Sequence, residues 1–140
     1  HWFNPPHLVP LIEIIKGEKT REDVAQTVYD LSLKIGKKPV LVNRDIPGFA
    51  ANRLQFAILR EALDLVAQGV VSAEGIDDVM KYGLGFRYAC LGPLEVADFG
   101  GLDTFTHISS YLMKDLCDSK EVPELKEVEP GHYVACLLYE

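Results

Sequence analysis

Several features that would restrict the function are missing from this sequence. None of its apolar runs approaches the roughly 20 residues that a membrane-spanning helix needs, and its first residues lack the basic and apolar regions of a signal peptide. The three cysteines, Cys90, Cys117 and Cys136, are far apart, which argues against a disulfide framework or a CxxC metal site and predicts reduced, mostly packed side chains. We therefore expect a cytoplasmic protein that neither enters a membrane nor holds a metal.

Positive charge is also scarce. The 140 residues include 14 Lys and Arg against 21 Asp and Glu, which gives a formal net charge of −7. Proteins that bind nucleic acid through its phosphates need an excess of basic side chains, so we do not expect nucleic acid as a partner. With 48% hydrophobic and 25% charged residues, the composition is that of a soluble globular protein with one or two small cores.

The glycine fingerprint of a dinucleotide-binding fold is missing as well. Such a fold places G-x-G-x-x-G directly after its first strand, where backbone amides and a helix N-terminus receive the pyrophosphate. The nearest approach is Gly83-Leu84-Gly85, but position 88 is Tyr and the segment follows a helical pattern rather than a strand. We interpret this segment as a turn between two helices and assign no cofactor-binding residue in the chain.

The first third of the chain has the pattern of a strand, a helix and a second strand. The run at residues 8–15 is rich in β-branched side chains and contains one carboxylate, Glu13. A capping-box sequence at residues 20–23 then precedes a helical pattern that Gly36 can stop. The apolar positions of that helix are Val24, Val28, Leu31 and Ile35. With a second strand at residues 39–42, the order is typical of a crossover unit in a parallel sheet.

A turn-forming segment at residues 45–49 separates this unit from the rest. We place a domain boundary there, between residues 1–45 and 46–140. After it, helical spacing and helix caps recur, and no convincing strand appears before the last few residues. The predicted helices begin near Phe49, Ser72, Gly92 and Asp103. The second segment is therefore predicted to be all-helical.

Five short motifs follow one another along most of the chain. They are His1-Trp2-Phe3-Asn4-Pro5-Pro6, the strand with Glu13, Asp45-Ile46-Pro47-Gly48-Phe49 followed by Asn52-Arg53, Arg60-Glu61-Ala62, and Gly92-Pro93-Leu94-Glu95 with Asp98 and Gly101-Leu102-Asp103. In this order they resemble the 3-hydroxyacyl-CoA dehydrogenase family from His1 to about Pro130. Residues 87–91 depart from the family pattern, which leaves the acyl-chain preference open. Residues 131–140 also depart from it, and we transfer no role to them.

The resemblance implies a mainly α fold, in which a helical dehydrogenase C-terminal domain follows a strand-helix-strand remnant of a Rossmann-type α/β domain. It implies NAD as the cofactor, bound mainly by an N-terminal domain that is absent here. The chain would then be a piece of a longer polypeptide and would bind NAD poorly by itself. An acyl-CoA substrate and a homodimer formed through the helical domain are also implied. A helical cluster of about 95 residues favours the homodimer on physical grounds too, because it covers its apolar surface incompletely.

Oxidation of an alcohol by a nicotinamide requires a base that takes the hydroxyl proton as hydride leaves carbon, and histidine suits this role. A carboxylate on the second ring nitrogen would orient the ring and stabilise the imidazolium. The resemblance assigns these roles to His1 and Glu13, and it places Asn52 at the substrate, where an amide can stabilise developing charge. The alternatives are an exposed terminal His1 without a role, a salt-bridged strand carboxylate at Glu13, and an Asn52 that only satisfies helix amides.

Three functional hypotheses result. The favoured one is a fragment of an NAD-dependent L-3-hydroxyacyl-CoA dehydrogenase, such as a 3-hydroxybutyryl-CoA dehydrogenase of fatty acid metabolism. A second keeps the chemistry but replaces the thioester by a free hydroxy acid, as in the sugar-acid and carnitine dehydrogenases that share this architecture. A third takes the isolated piece as a non-catalytic helical dimerisation module, and it explains the combination of His1, Glu13 and Asn52 poorly.

Overall fold

The computed structural model describes residues 1–121, 125–129 and 132–135, and it divides the chain into two compact units, His1–Ala57 and Ile58–Glu140. The protein is mainly helical and begins with a parallel strand pair, which confirms the predicted fold class. Within the described residues, no helix combines the length and the apolar composition that crossing a membrane requires.

The first unit contains the predicted strand, helix and strand. Strand β1 is Leu11–Ile15, helix α1 is Glu22–Lys34 and strand β2 is Lys38–Val42. The strands are parallel, with Leu11 opposite Lys38 and Ile15 opposite Val42. A parallel pair needs a crossover between its strands, and α1 supplies it.

The start of α1 differs from the predicted capping box. Arg21 is the N-cap residue, and its side chain makes no capping hydrogen bond. The Thr20 hydroxyl instead accepts a hydrogen bond from the Gly17 amide at 3.1 Å. Because the hydroxyl is used in the turn before the helix, it is not available to the first helical amides.

The buried face of α1 also differs from the predicted one. The side chains that face the sheet are Ala25, Tyr29 and Ser32, which are spaced i, i+4 and i+7 along the helix. Ala25 packs with Ile12 and Ile14 of β1 in the core of this unit. The predicted apolar positions are 40–57% exposed, namely Val24, Val28, Leu31 and Ile35. The helical period was predicted correctly, but Ala25, Tyr29 and Ser32 face the strands and the four predicted apolar side chains do not.

Among the residues that the structure describes, five further α-helices follow β2. The first of them, α2, begins in the first unit and ends in the second, and the other four lie in the second unit. Their bounds are Ala51–Ala67 for α2, Ala73–Val79 for α3, Gly85–Tyr88 for α4, Pro93–Gly100 for α5 and Leu102–Leu112 for α6. The Ser72 side chain caps α3 by accepting a hydrogen bond from the Gly75 amide at 3.0 Å, as its position predicted.

The predicted turn at Gly83-Leu84-Gly85 is wrong. Residues Met80–Leu84 form a π-helical turn that connects α3 directly with α4, so the helical backbone continues through both glycines. A side chain at position 85 would place its Cβ 2.6 Å from the Met80 carbonyl oxygen. Glycine therefore permits the wide turn to form here rather than ending the helix.

The second segment is not helical throughout, which corrects the all-helical prediction for residues 46–140. Strands β3, Leu125–Glu129, and β4, His132–Ala135, form an antiparallel hairpin. Backbone pairing between the two strands stabilises them without the periodicity that marks a helix. The domain boundary between residues 45 and 46 stays a prediction.

The cysteines are only partly as expected. Cys90 and Cys117 are free, and Cys90 is exposed rather than packed. Cys136 lies outside the described residues, as do the other positions of 131–140 apart from β4.

The π-helical turn yields a matched pair of substitutions. Gly85→Ala forces a Cβ onto a backbone oxygen, so we expect it to lower the free energy of unfolding by about 1–3 kcal/mol. A Cβ at position 83 would meet no neighbouring atom within 4 Å, so Gly83→Ala should raise that free energy by about 0.5–1 kcal/mol. Urea unfolding monitored by circular dichroism measures both. Equal effects of the two variants would contradict the role of Gly85.

Candidate active site

His1 lies beside Glu13 because the chain folds back on itself before β1. The main-chain nitrogen of His1 donates to the Glu13 carbonyl oxygen at 2.8 Å, and the Glu13 amide donates to the His1 carbonyl oxygen at 3.0 Å. Trp2 and Ile12 form an antiparallel bridge next to this pair. Local antiparallel pairing thus places the histidine next to the central residue of β1.

The reversal itself is held by hydrogen bonds within the loop and by the side chain of the residue that precedes β2. The amides of Leu8 and Val9 both donate to the Pro5 carbonyl oxygen, each at 3.0 Å. Lys37, directly before β2, donates from Nζ to the carbonyl oxygen of Val9 at 2.9 Å and also to that of Pro6. The backbone of the loop that follows His1 is therefore fixed at Pro5, Pro6 and Val9.

The side chains of His1 and Glu13 form a direct pair. Nδ1 of His1 lies 2.8 Å from Oε2 of Glu13, and the two side chains are 28% and 1% exposed. An ionised carboxylate can only accept, so Nδ1 carries the shared proton and the neutral ring presents Nε2 as a proton acceptor. One nitrogen is thus fixed while the other is left for chemistry.

The second oxygen of Glu13 binds the beginning of α2. Oε1 accepts hydrogen bonds from the amides of Ala50 and Ala51 at 2.9 and 3.0 Å. These amides are free at the N-terminus of a helix, where the helix dipole favours a negative charge. Burial of an unpaired carboxylate would be costly, and three donors satisfy this one. Among the described residues, no buried side-chain nitrogen or oxygen atom lacks a partner.

A tight turn aims these two amides at Glu13. Phe49 N donates to the Ile46 carbonyl oxygen at 3.0 Å, and Pro47 and Gly48 occupy the central positions of the β-turn that this bond closes. Gly48 has φ +77°, and glycine adopts such a value without steric cost. The arrangement of Pro followed by Gly is typical of a type II turn.

Two phenyl rings surround the imidazole. The Phe3 ring meets it edge-on, with centroids 5.6 Å apart and an interplanar angle of 74°. The Phe49 ring is tilted against it at 5.2 Å and 58°. These distances lie in the range of favourable aromatic contacts.

Asn52 is the second residue of α2 and is half-buried. In the part of the chain that the structure describes, the Asn52 side chain makes no hydrogen bond. The first amides of the helix donate their hydrogen bonds to Glu13 instead. The structure therefore brings His1 and Glu13 into contact and places Asn52 two residues from Ala50. It does not support the alternative in which Asn52 only satisfies helix amides.

The sequence analysis missed the amides of Ala50 and Ala51 as partners of Glu13, and it missed Phe49. One signal was available. No Ser, Thr, Asp or Asn occupies the N-cap position before α2, so its first amides required an acceptor from elsewhere in the chain. The described residues hold no group of three His, Cys, Asp or Glu side chains that could bind a metal.

Comparison with known proteins places this geometry in a family. The sequence model of the 3-hydroxyacyl-CoA dehydrogenase NAD-binding domain matches residues 1–46, and that of the C-terminal domain matches residues 48–129. A relative from Mesorhizobium japonicum, 5-formyl-3-hydroxy-2-methylpyridine 4-carboxylate 5-dehydrogenase, is 45% identical over 122 residues. That alignment covers 87% of this chain and 40% of the relative, so the chain spans well under half of the relative's length.

Solved structures match over a similar share of this chain. One described as an NAD+-dependent dismutase, also a 5-formyl-3-hydroxy-2-methylpyridine 4-carboxylic acid 5-dehydrogenase, has a TM-score of 0.85 at 45% identity and covers 87% of this chain and 40% of that one. A 3-hydroxyacyl-CoA dehydrogenase from Archaeoglobus fulgidus has a TM-score of 0.73 at 36% identity, covering 82% and 39%. These matches confirm the resemblance that the motifs indicated. The chain belongs to the 3-hydroxyacyl-CoA dehydrogenase family.

Proposed function

We propose that the protein containing this chain is an NAD-dependent L-3-hydroxyacyl-CoA dehydrogenase of fatty acid metabolism, which interconverts 3-hydroxyacyl-CoA and 3-ketoacyl-CoA. The observation that carries the proposal is the contact between His1 Nδ1 and a buried carboxylate oxygen of Glu13 at 2.8 Å. Such a pair is the proton-transfer device that alcohol oxidation requires.

In oxidation, His1 Nε2 takes the hydroxyl proton while the C–H hydrogen leaves carbon with its electron pair and the carbonyl double bond forms. NAD, when bound, supplies the acceptor for that hydride. Glu13 keeps Nδ1 protonated, fixes the ring and stabilises the positive charge that the ring gains. In reduction, the imidazolium of His1 returns the proton to the oxygen. Asn52, in the first turn of α2, is proposed to donate a hydrogen bond to the substrate oxygen.

The β1-α1-β2 unit supports NAD as the cofactor, since parallel strands joined by a crossover helix build dinucleotide-binding sheets. The match of residues 1–46 to an NAD-binding domain supports it as well. The sequence of residues 1–140 contains no G-x-G-x-x-G motif of the kind that holds the pyrophosphate. We therefore propose that His1 acts at the reacting end of the cofactor and that other parts of the complete protein bind its phosphates.

A second candidate is oxidation of the hydroxyl group of a free hydroxy acid rather than that of a 3-hydroxyacyl-CoA thioester. It is favoured by the TM-score of 0.85 with the pyridine carboxylate dehydrogenase, against 0.73 with the 3-hydroxyacyl-CoA dehydrogenase from Archaeoglobus fulgidus. The departure at residues 87–91 from the usual family pattern leaves the choice between the two substrates open. The pair of His1 and Glu13 would serve either substrate, because both reactions remove a proton from oxygen and a hydride from carbon.

We also propose that the protein forms a homodimer through its helices. Three apolar side chains of α2 are 41–59% exposed in the single chain, namely Leu54, Ile58 and Leu59. Leu54 and Ile58 are four residues apart and therefore lie along one stripe of the helix, and Leu59 lies beside that stripe. Pairing with a second copy would remove this apolar surface from water.

Steady-state kinetics of the full-length protein decide the substrate class. We expect oxidation of NADH with acetoacetyl-CoA and with a longer 3-ketoacyl-CoA, and a specificity constant at least about 10-fold lower with a free keto acid, since the lost binding of the thioester carrier reduces transition-state stabilisation. A higher specificity constant with the free keto acid than with the ketoacyl-CoA substrates would establish the free-hydroxy-acid candidate. Absence of NADH oxidation with all three substrates would contradict both.

His1→Ala in the full-length protein should lower kcat by about 100-fold or more, because a positioned acid and base contributes that much. Affinity for the cofactor, measured by fluorescence titration with NADH, should stay the same. His107→Ala is the control, since His107 is an exposed histidine of α6, and it should keep the kcat of the wild type. An unchanged kcat for His1→Ala would remove His1 from the mechanism.

Glu13→Gln tests the carboxylate separately. The Gln side-chain oxygen can still accept from Ala50 and Ala51, but its NH₂ group then faces Nδ1 and favours the tautomer protonated on Nε2. We expect kcat for oxidation to fall by about 100-fold or more. The acidic limb of the rate profile should move to lower pH, because the protonated ring loses its counter-ion.

The control for this substitution is Glu22→Gln, which removes an exposed carboxylate paired with Lys16 at 3.0 Å. It should leave both kcat and the pH profile unchanged. An acidic limb that stays in place in Glu13→Gln would separate Glu13 from the protonation of His1.

A further inference from the structure

Phe49 has a backbone conformation that its residue type disfavours. Its φ is +48°, and among the residues that the structure describes it is the one non-glycine residue with a positive φ. In this region the Cβ atom crowds the backbone, and bulky residues occupy it rarely. Such a conformation persists only where the surroundings require it, and it is found frequently at functional sites.

The conformation places the following amides correctly. Gly48 at φ +77° and Phe49 at φ +48° are two successive left-handed residues, and together they turn the chain into α2. The amides of Ala50 and Ala51 then reach Glu13 Oε1 at 2.9 and 3.0 Å. Backbone geometry alone would be served better by glycine at position 49, because glycine adopts this φ freely. The phenyl ring must therefore be explained separately.

The ring of Phe49 lies against the ring of His1, with centroids 5.2 Å apart. A single hydrogen bond at Nδ1 fixes one atom of the imidazole but leaves the ring able to swing about that contact, which would carry Nε2 away from its position. Phe3 borders the imidazole on another edge at 5.6 Å. Phe3 belongs to the same loop as His1, whereas Phe49 belongs to the segment whose amides bind Glu13.

We propose that Phe49 is a positioning residue for the reaction, which restricts the swing of the His1 ring and so keeps Nε2 directed at the substrate hydroxyl. This inference rests on the proposed function of His1 as the base. One short segment then fixes both halves of the device, since the Ala50 and Ala51 amides hold the carboxylate and the Phe49 ring limits the imidazole. Displacement of a reacting group by about 1 Å can cost about 100-fold in rate.

Phe49→Gly in the full-length protein is the decisive variant, because it removes the ring and keeps the backbone conformation. We expect kcat to fall about 10- to 100-fold with an unchanged KM for NAD. Phe49→Tyr keeps an aromatic ring and should stay within about threefold of the wild type. Phe56→Ala is the matched control, since Phe56 is a phenylalanine of α2, the helix that follows Phe49, and is 60% exposed; its kcat should be that of the wild type.

A readout independent of turnover separates this inference from the proposed function. The ¹⁵N imidazole signals of His1 report the tautomer and the mobility of the ring, and Phe49→Gly should broaden them or shift them toward a tautomeric average. If the wild type does not oxidise NADH at all, the proposed function fails, and these signals still test the position of the ring. Unchanged imidazole signals or an unchanged kcat in Phe49→Gly would overturn the inference, as would an equal loss of kcat in Phe56→Ala.

Discussion

The buried carboxylate of Glu13 is the constraint on which the rest of the site depends. A charge that is 1% exposed is tolerated only when its oxygens are paired. Here one oxygen meets the His1 ring and the other meets the amides of Ala50 and Ala51. The loop before β1, the strand itself and the beginning of α2 must therefore converge on a single side chain.

This sharing gives the helix and the histidine a common anchor. Helix α2 has no capping side chain of its own, so its first free amides depend on an acceptor contributed by β1. The same acceptor sets the tautomer of the proposed base. A displacement of the turn before α2 would shift the Glu13 carboxylate, and the carboxylate would in turn shift the His1 ring, because the amides and the ring bind the same side chain. Helix capping and orientation of the His1 ring are thus combined in Glu13.

Local patterns predicted a substantial part of the fold. The β-branched run containing Glu13 and the helical period after residue 20 correctly indicated β1 and α1, and Ser72 correctly marked the beginning of α3. The errors occurred where contacts between elements were inferred from hydrophobicity or from glycine content alone. Ala25 and Ser32 face the strands instead of the larger apolar residues. The helical backbone also continues through Gly83 of the π-helical turn and Gly85 of α4 instead of ending there. Periodicity identifies a helix, but close approach between elements selects small side chains, which carry little hydrophobic signal.

By itself, the sequence determined the element types of the first unit, the family resemblance and the identity of His1, Glu13 and Asn52 as candidates, because residue types and their order are local properties. Only the tertiary structure decided which partners Glu13 has. Ala50 and Ala51 are 37 and 38 residues away along the chain, and an alanine amide has no side-chain signature that a motif could record. The structure also decided that Phe49 meets the His1 ring, since a left-handed backbone conformation and a ring contact arise from packing and not from local propensity.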